Sequence, residues 1–244
     1  MRRRHRHLTL GRSGASACWD SRALTESDNT SITSWTDRAA SLSATTAGFA
    51  PVVRRNIQGG QPIVRFPSTS TPPLVTGNVS VTANKTSATI VGVASSTQAT
   101  TNNYPTIVNS RITGSSANAR CYLALRTSKV ESGGRRTSAN SYQFVQSPGT
   151  IGNSVFCVAS GVWDWGNAAL WSYLSGAGAA RSGGFQTTGS TDNTASPISL
   201  GASDGGSEFL IGDIGLVAFI ETTSSPLRRR FEHAAAYSFK LACA

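Results

Sequence analysis

The feature that most constrains the fold of this chain is its division into short strand-like segments separated by turns. The clearest are Thr86–Ser95, Ser154–Ser160 and Phe209–Glu221, which are rich in Val, Ile, Ala and Phe. β-Branched and aromatic residues in short runs bounded by Gly, Ser, Asn or Pro favour strands over helices. About a dozen such segments at short intervals predict an all-β protein built as a two-sheet antiparallel sandwich.

One helix is predicted, at the end of the chain. Ser224, Ser225 and Pro226 suit a helix start, because serine can cap free N–H groups and proline at the first helical position loses no needed donor. Apolar residues then recur at helical spacing and form one narrow stripe. The stripe consists of Leu227, Phe231, Ala234, Ala235 and Phe239. The chain is therefore expected to close with a buried strand and one short C-terminal helix.

Length and composition favour one domain preceded by an arm. The chain has 244 residues, only 14% of them charged, and no boundary or repeat interrupts residues 17–244. An all-β domain of this size is ordinary. Residues 1–16 are basic and lack a core-forming pattern. They are predicted to form an N-terminal arm, with plain disorder as the alternative.

Targeting signals and metal-site spacings are missing from the sequence. The basic N-terminus lacks the apolar core of a signal peptide, so secretion by the usual route is not expected. The default for the cysteines is therefore reduced, buried thiols, and their spacing favours no metal or cofactor. They are Cys18, Cys121, Cys157 and Cys243. No apolar run approaches the ~20 residues that span a membrane, so no membrane partner is expected.

The net charge of +10 comes mainly from arginine and is grouped in patches. Such patches can meet an anionic partner or simply be solvated. Two groups are candidate assembly contacts with neighbouring subunits: Arg2, Arg3, Arg4 and Arg6 in the arm, and Arg228, Arg229 and Arg230 in the first helical turn. The second group is unusual, because the N-terminal end of the helix dipole prefers acids. No aromatic residues interleave with the arm, so nucleic-acid binding is not expected.

Several motifs occur in an order that resembles one family of sandwiches. They are Trp19-Asp20, Trp35-Thr36-Asp37, Gln61–Phe66, Thr86–Ser95 and Gly212–Val217. Together with the C-terminal helix, they resemble the laminin G-like, concanavalin A-like jelly roll over roughly residues 17–241. No single motif is specific, and the resemblance depends on their order.

The resemblance implies that the first and last strands lie side by side, which places Trp19 near Phe209–Glu221. Some members of the wider fold bind Ca²⁺ and sugars. Pro67 and Ser68 stand where the family usually has Asp-Gly, so a Ca²⁺ site is not supported. Asp37 and Asp213 are expected to satisfy turn backbone instead.

The acidic residues give no support for glycoside hydrolysis. Retaining glycosidases need two carboxylates about 5–5.5 Å apart, and alternate residues of a strand share a face. Of the twelve acids, only Glu26 and Asp28 are spaced in this way, and they lie in a polar loop. The chain is therefore expected not to be an enzyme.

One turn carries residues suited to binding a carbohydrate. Trp163, Asp164, Trp165 and Asn167 combine two aromatic rings with a carboxylate and an amide. Exposed rings can stack on the apolar faces of sugars while the polar groups bond their rims. The alternative is that both tryptophans cap the core, because tryptophan is usually mostly buried.

The main functional hypothesis is a non-enzymatic virion subunit of a bacteriophage. It would be a head decoration, fibre or tail-associated protein, oligomeric, in contact with other virion proteins and with host glycans. Assembly in the host cytoplasm and release by lysis would explain a lectin-like jelly roll without a secretion signal. The alternatives are a soluble carbohydrate-binding lectin module, a shell-forming capsid protein with a genome-facing basic arm, and a laminarinase-like hydrolase.

Overall fold

Strands dominate this computed structural model, which describes residues 14–46, 50–68, 71–101, 103–111, 119–182, 185, 187–203 and 208–243. The strands are β1 Ala17–Asp20, β2 Ser34–Thr36, β3 Ser43–Thr45, β4 Val52–Gln58, β5 Gln61–Phe66, β6 Leu74–Thr76, β7 Ser87–Ser96, β8 Thr106–Arg111, β9 Ala119–Arg126, β10 Lys129–Gly134, β11 Gln143–Gln146, β12 Cys157–Asp164, β13 Ala169–Leu174, β14 Ala177–Ser182, β15 Ile198–Leu200 and β16 Gly212–Ile220. A 3₁₀ turn at Ser21–Ala23 and the helix α1, Ser225–Phe239, complete these elements. None of the helical segments in these residues has the length and apolar character needed to cross a membrane.

The strands form two antiparallel sheets of eight strands each. The first sheet has the order β14-β13-β12-β7-β16-β5-β4, and β1 also pairs with β16. The second has the order β11-β10-β9-β8-β15-β6-β3-β2. The predicted fold class, an all-β two-sheet antiparallel jelly-roll sandwich (concanavalin A-like) with one short C-terminal helix, is confirmed.

The central strands of the first sheet are buried on both faces. In β7, Ile90 and Ala94 belong to the core between the sheets, whereas Val91 and Val93 pack in a second cluster beneath α1. A strand covered on both sides is apolar at nearly every position rather than at alternate ones. This explains the continuous apolar run of β7.

The first strand lies beside the last, as the resemblance implied. Trp19 is opposite Val217 in the antiparallel pair of β1 and β16. Its indole N–H donates to the carbonyl of Trp35 at 3.0 Å, and both rings are buried. Asp37 closes the adjoining turn by accepting from the backbone N–H of Ala39 and Ala40 at 2.7 and 2.8 Å. The turn role predicted for Asp37 is therefore confirmed.

The helix α1 covers part of the outer face of the first sheet. Phe231, Ala235 and Phe239 are buried against the cluster formed by β7, β12 and β16. Ser224 is the residue before the helix, but its side chain makes no capping hydrogen bond, so the capping role expected for serine is wrong here. Proline in the first turn is present as predicted. The helix ends where Lys240 adopts a left-handed conformation with φ of 51°.

The described cysteines are free thiols, and three of them are buried. Burial raises the pKa of Cys18, Cys121 and Cys157 to about 12 each. Because the thiolate is the reactive form, we expect a maleimide reagent at pH 7 to modify only Cys243 in the native protein and all four thiols in denaturant. Mass spectrometry counts the adducts. Rapid modification of the native Cys243→Ser variant would contradict this expectation.

Candidate functional site

The two tryptophans predicted to bind sugars lie in the core. Trp163 and Trp165 are 0% exposed. Trp163 donates its indole N–H to the carbonyl of Gly133 at 3.0 Å, and Trp165 packs on Phe185 with ring centroids 6.2 Å apart. A ring without an exposed face cannot stack on a sugar. The prediction that these rings bind carbohydrate is therefore wrong, and the alternative, packing in the core, is what the structure shows.

Asp164 and Asn167 hold the turn between β12 and β13. The carboxylate of Asp164 accepts from the backbone N–H of Asn167 at 3.0 Å and from its side-chain amide at 2.9 Å. These bonds use the polar groups that were expected to contact a sugar rim. The turn is thus fixed locally by the two residues.

The three arginines of the first helical turn differ in their surroundings. Arg228 is 3% exposed, forms an ion pair with Glu232 and lies 3.7 Å from the ring centroid of Tyr173. It cannot be an assembly contact, so that prediction is wrong for this residue. Arg229 and Arg230 are exposed, and their contact role remains a prediction. The predicted contacts Arg2, Arg3, Arg4 and Arg6 lie outside the described residues.

Asp213 also differs from its predicted role. It lies within β16 and forms a two-pronged ion pair with Arg65, whose Nε and Nη2 donate at 2.7 and 2.9 Å. The prediction that Asp213 satisfies turn backbone is therefore wrong. The reason is its register: Asp213 is directly opposite Arg65 in the pair of β16 and β5.

A cluster of aromatic and charged side chains occupies the outer face of the second sheet. We call it the tyrosine face; it comprises Tyr104, Tyr122, Arg126, Glu131, Tyr142, Phe144, Gln146 and Glu208. It arises from strand alternation, since Leu123, Val130 and Val145 point into the core and their neighbours in sequence point outward.

Tyr122 and Tyr142 are the stacked centre of the tyrosine face. Their ring centroids are 5.6 Å apart and their planes differ by 12°. Tyr122 is 3% exposed and lies across Gly133, where an added Cβ would be only 2.2 Å from its ring. Glycine at this position is therefore required for the tyrosine ring to lie flat on the sheet.

Glu131 is the buried anchor beneath these rings. Its carboxylate accepts hydrogen bonds from the hydroxyl of Tyr122 and from the side-chain amide of Gln146, the latter at 2.9 Å. It also forms an ion pair with Arg126 at 3.2 Å. Arg126 in turn stacks over the ring of Tyr104 at 3.6 Å. A buried carboxylate with several donors is fixed in place, so the network holds the surrounding side chains in one arrangement.

Burial and the charge of Glu131 also raise the pKa values of Glu208 and Tyr122. Burial raises the pKa of Glu208, a hydrogen bond from Ser203 opposes the shift, and the charge of Glu131 adds to it. The pKa of Tyr122 is raised strongly, first by burial and then by the nearby Tyr142 and Glu131. Tyr122 therefore stays a neutral hydrogen-bond donor at physiological pH.

The surface above the anchor is aromatic. Tyr142 is 37% exposed and Phe144 is 54% exposed. Arg135 lies 5.7 Å from the ring of Tyr142. Two exposed rings, with guanidinium, amide and carboxylate groups around them, can contact a flat apolar surface and hydrogen-bond its edges.

Sequence reasoning missed this surface, although a signal for it exists. Tyr142 directly precedes β11 and alternates with Phe144 and Gln146, so the three side chains lie on one face. Tyr122 and Arg126 share a face of β9 in the same way. Aromatic residues clustered on the solvent side of a strand indicate a binding surface. Across the described part of the chain, no three His, Cys, Asp or Glu side chains are grouped to hold a metal ion.

Comparisons with known proteins show the fold alone. No protein-family model matches the chain, and no curated protein sequence matches it. Among solved structures, the chain is similar to a sialidase of Trypanosoma rangeli, with a TM-score of 0.56, 13% identity and coverage of 93% of this chain and 33% of that one. A structure described as a mutant of HCR/D has a TM-score of 0.62 at 12% identity, covering 91% of this chain and 52% of that one.

A third structure is the CBM40 domain of the Ruminococcus gnavus IT-sialidase bound to α2,3-sialyllactose, with a TM-score of 0.48, 16% identity and coverage of 60% of this chain and 81% of that one. The chain spans about a third of the length of the sialidase chains. The two matches with TM-scores of 0.56 and 0.62 support a β-sandwich fold. The laminin G and bacteriophage parts of the resemblance remain predictions.

Proposed function

We propose that this chain is a carbohydrate-binding β-sandwich module without catalytic activity, and that its ligand lies on the tyrosine face. The observation that carries the proposal is the exposure of Tyr142 and Phe144 above the hydrogen-bonded anchor Glu131. This corresponds to the soluble lectin alternative considered for the sequence, with a different set of residues.

The chemistry of the tyrosine face suits a sugar. A pyranose ring has an apolar C–H face that stacks on an aromatic ring and hydroxyls around its edge that need donors and acceptors. Tyr142 and Phe144 provide the first, while Arg126 and Gln146 provide polar groups beside them. Because Glu131 fixes Arg126 and Gln146, little side-chain entropy is lost on binding.

The same residues argue against catalysis. The charge of Glu131 contributes to the raised pKa of Glu208, but Glu131 is 0% exposed and already accepts three hydrogen bonds. Tyr122 is covered by Tyr142, and its raised pKa is the opposite of what an activated nucleophile needs. We therefore propose binding rather than turnover. Release of reducing sugar from β-glucans would overturn this and favour the laminarinase-like hydrolase.

A bacteriophage virion remains the finer proposal for where such a module works. It is supported by the basic N-terminal sequence and by the exposed Arg229 and Arg230, which are available to neighbouring subunits. Co-purification with particles at fixed stoichiometry tests this role. Loss of packaged nucleic acid on deletion of residues 2–12 would favour the capsid alternative with a genome-facing arm.

Alanine substitutions on the tyrosine face test the proposed function. Fully burying a phenylalanine side chain contributes about 1.5–3 kcal/mol, and Phe144 is 54% exposed, so Phe144→Ala is expected to weaken glycan binding roughly 4- to 15-fold. Tyr142→Ala is expected to weaken it similarly and also to expose Tyr122. A glycan array identifies the ligand, and isothermal titration calorimetry measures the dissociation constant for each variant.

Tyr237 provides the matched control for these variants. It is 69% exposed and lies on α1, which packs on the other sheet. Tyr237→Ala should bind the glycan with unchanged affinity. Unchanged affinity in both Tyr142→Ala and Phe144→Ala, with normal melting temperatures, would refute the tyrosine face as the site.

A further inference from the structure

A groove lies on the outer face of the first sheet, on the opposite side of the sandwich from the tyrosine face. The helix α1 covers one part of this face, and the groove occupies another part, near the ends of β5, β7 and β16. Its volume is about 470 Å³. This lies within the range of roughly 300–1,000 Å³ typical of small-molecule sites.

The floor of the groove is a row of three polar residues on neighbouring strands. Arg65 is opposite Asp213, and Asp213 is opposite Ser95. Besides the two bonds from Arg65, the carboxylate of Asp213 accepts from the hydroxyl of Ser95 at 3.4 Å. The ion pair holds both charged groups in place, and hydrogen bonding to Asp213 raises the pKa of Arg65. The guanidinium is therefore charged, and it is paired with Asp213.

The floor can still both donate and accept further hydrogen bonds. Nε and Nη2 of Arg65 are used, and Nη1 has no hydrogen-bond partner among the described residues. The carboxylate of Asp213 and the hydroxyl of Ser95 can each accept a further bond. The walls are apolar and are formed by Ile57, Phe156 and Ile211.

We propose that this groove is a second ligand site, and that it takes a neutral polyhydroxy compound of the size of a mono- or disaccharide. Two adjacent hydroxyls can accept from Nη1 of Arg65 and donate to Asp213 at once. An anion would be placed beside the carboxylate of Asp213, and a cation beside the guanidinium of Arg65, so the paired floor disfavours both. The apolar walls contact the C–H face of the ligand.

The two sites lie on the two outer faces of the sandwich, so one monosaccharide cannot reach both. Packed sheets are about 10 Å apart, and each site lies beyond its own sheet. A chain with both sites occupied would bind two ligands, and could bridge two glycan strands with increased avidity. The groove stands on its own geometry and does not depend on the proposed function of the tyrosine face.

Nuclear magnetic resonance tests the groove directly. Cellobiose, maltose and lactose are titrated as neutral probes, with glucuronic acid and glucosamine as charged comparators. At least one neutral probe is expected to shift the side-chain Nε–H signal of Arg65 and the amide signals of Ser95 and Ile57, at lower concentration than either comparator. Absence of shifts with all neutral probes, or equal shifts with the charged ones, would overturn the proposal.

Two variants separate binding in the groove from binding elsewhere. Thr97 is exposed at the rim, and Thr97→Trp is expected to fill the groove and abolish the shifts, whereas Thr100→Trp on the same loop should leave them intact. Arg65→Lys keeps the charge but loses the planar fork, and should weaken binding roughly tenfold. Undiminished shifts in Thr97→Trp would refute the site. Retention of the shifts in Tyr142→Ala distinguishes this site from the tyrosine face.

Discussion

Replacing Arg228 with alanine is expected to lower the free energy of unfolding by about 3–5 kcal/mol. Arg228 and Glu232 are both almost fully buried between α1 and the first sheet. Glu232 accepts from Arg228 and from the hydroxyl of Ser160. Removal of the guanidinium leaves the carboxylate of Glu232 buried between the helix and the sheet, with the hydroxyl of Ser160 as its remaining donor. An uncompensated buried charge is among the most costly single defects.

Exposed neighbours in the same helical turn provide the controls. Arg229→Ala and Arg230→Ala should change the free energy of unfolding by no more than about 0.5 kcal/mol. Urea unfolding followed by tryptophan fluorescence compares the three variants. Equal costs for the three would contradict the buried placement of Arg228.

The double variant Arg228→Met, Glu232→Leu is expected to recover most of the lost stability. Nε of Arg228 and Oε2 of Glu232 have no hydrogen-bond partners among the described residues, so the pair is incompletely satisfied. Apolar residues of similar volume avoid that cost, and such replacements of buried ion pairs are often neutral or stabilising. A double variant as unstable as Arg228→Ala would show that the pair itself contributes net stability.

This ion pair shows what the sequence could and could not predict. The helix was predicted because proline and the apolar stripe are local signals. The spacing of Arg228 and Glu232, one helical turn apart, was also visible. Burial was not, because it depends on β12 and β13 lying beneath that face of the helix, which sets Ser160 and Tyr173 against the pair. Because the sequence does not show this burial, Arg228 was predicted to be exposed and to contact a neighbouring subunit.

The tyrosine face could be predicted from the sequence only in part, for a related reason. Tyr122 and Glu131 lie on paired strands, but Tyr104, Tyr142 and Glu208 come from three other segments. Only the order of the strands in the second sheet brings these segments together. The strands themselves were predictable from composition, whereas the register and the choice of outward face depend on packing across the whole sandwich.

Trp163, near the end of β12, and Trp165, just after it, illustrate the same limit. Trp163 and Trp165 alternate, and alternate positions of an extended segment tend to face the same way, inward or outward. The sequence of β12 does not show which, because this strand is covered by the core on one side and by α1 on the other. An apolar run of this kind lacks the polar alternation that marks a solvent face.

Trp163→Ala should consequently destabilise the fold rather than remove a ligand contact. The ring is fully buried, lies against Gly161 so closely that an added Cβ would be 2.5 Å from it, and donates to the carbonyl of Gly133. Large-to-small substitution of a buried tryptophan costs about 3–5 kcal/mol, from lost burial and the cavity left behind. Trp163→Phe should cost less, since much of the ring volume is retained.

Separate measurements of stability and affinity decide between the two roles of Trp163. Urea unfolding gives the cost of the substitution, and calorimetry at a temperature where the variant remains folded gives its glycan affinity. We expect a large loss of stability and an affinity close to that of the unaltered protein, because Trp163 lies between the sheets while Tyr142 and Phe144 lie outside them. A stable Trp163→Ala variant that no longer binds glycan would return the site to the β12–β13 turn.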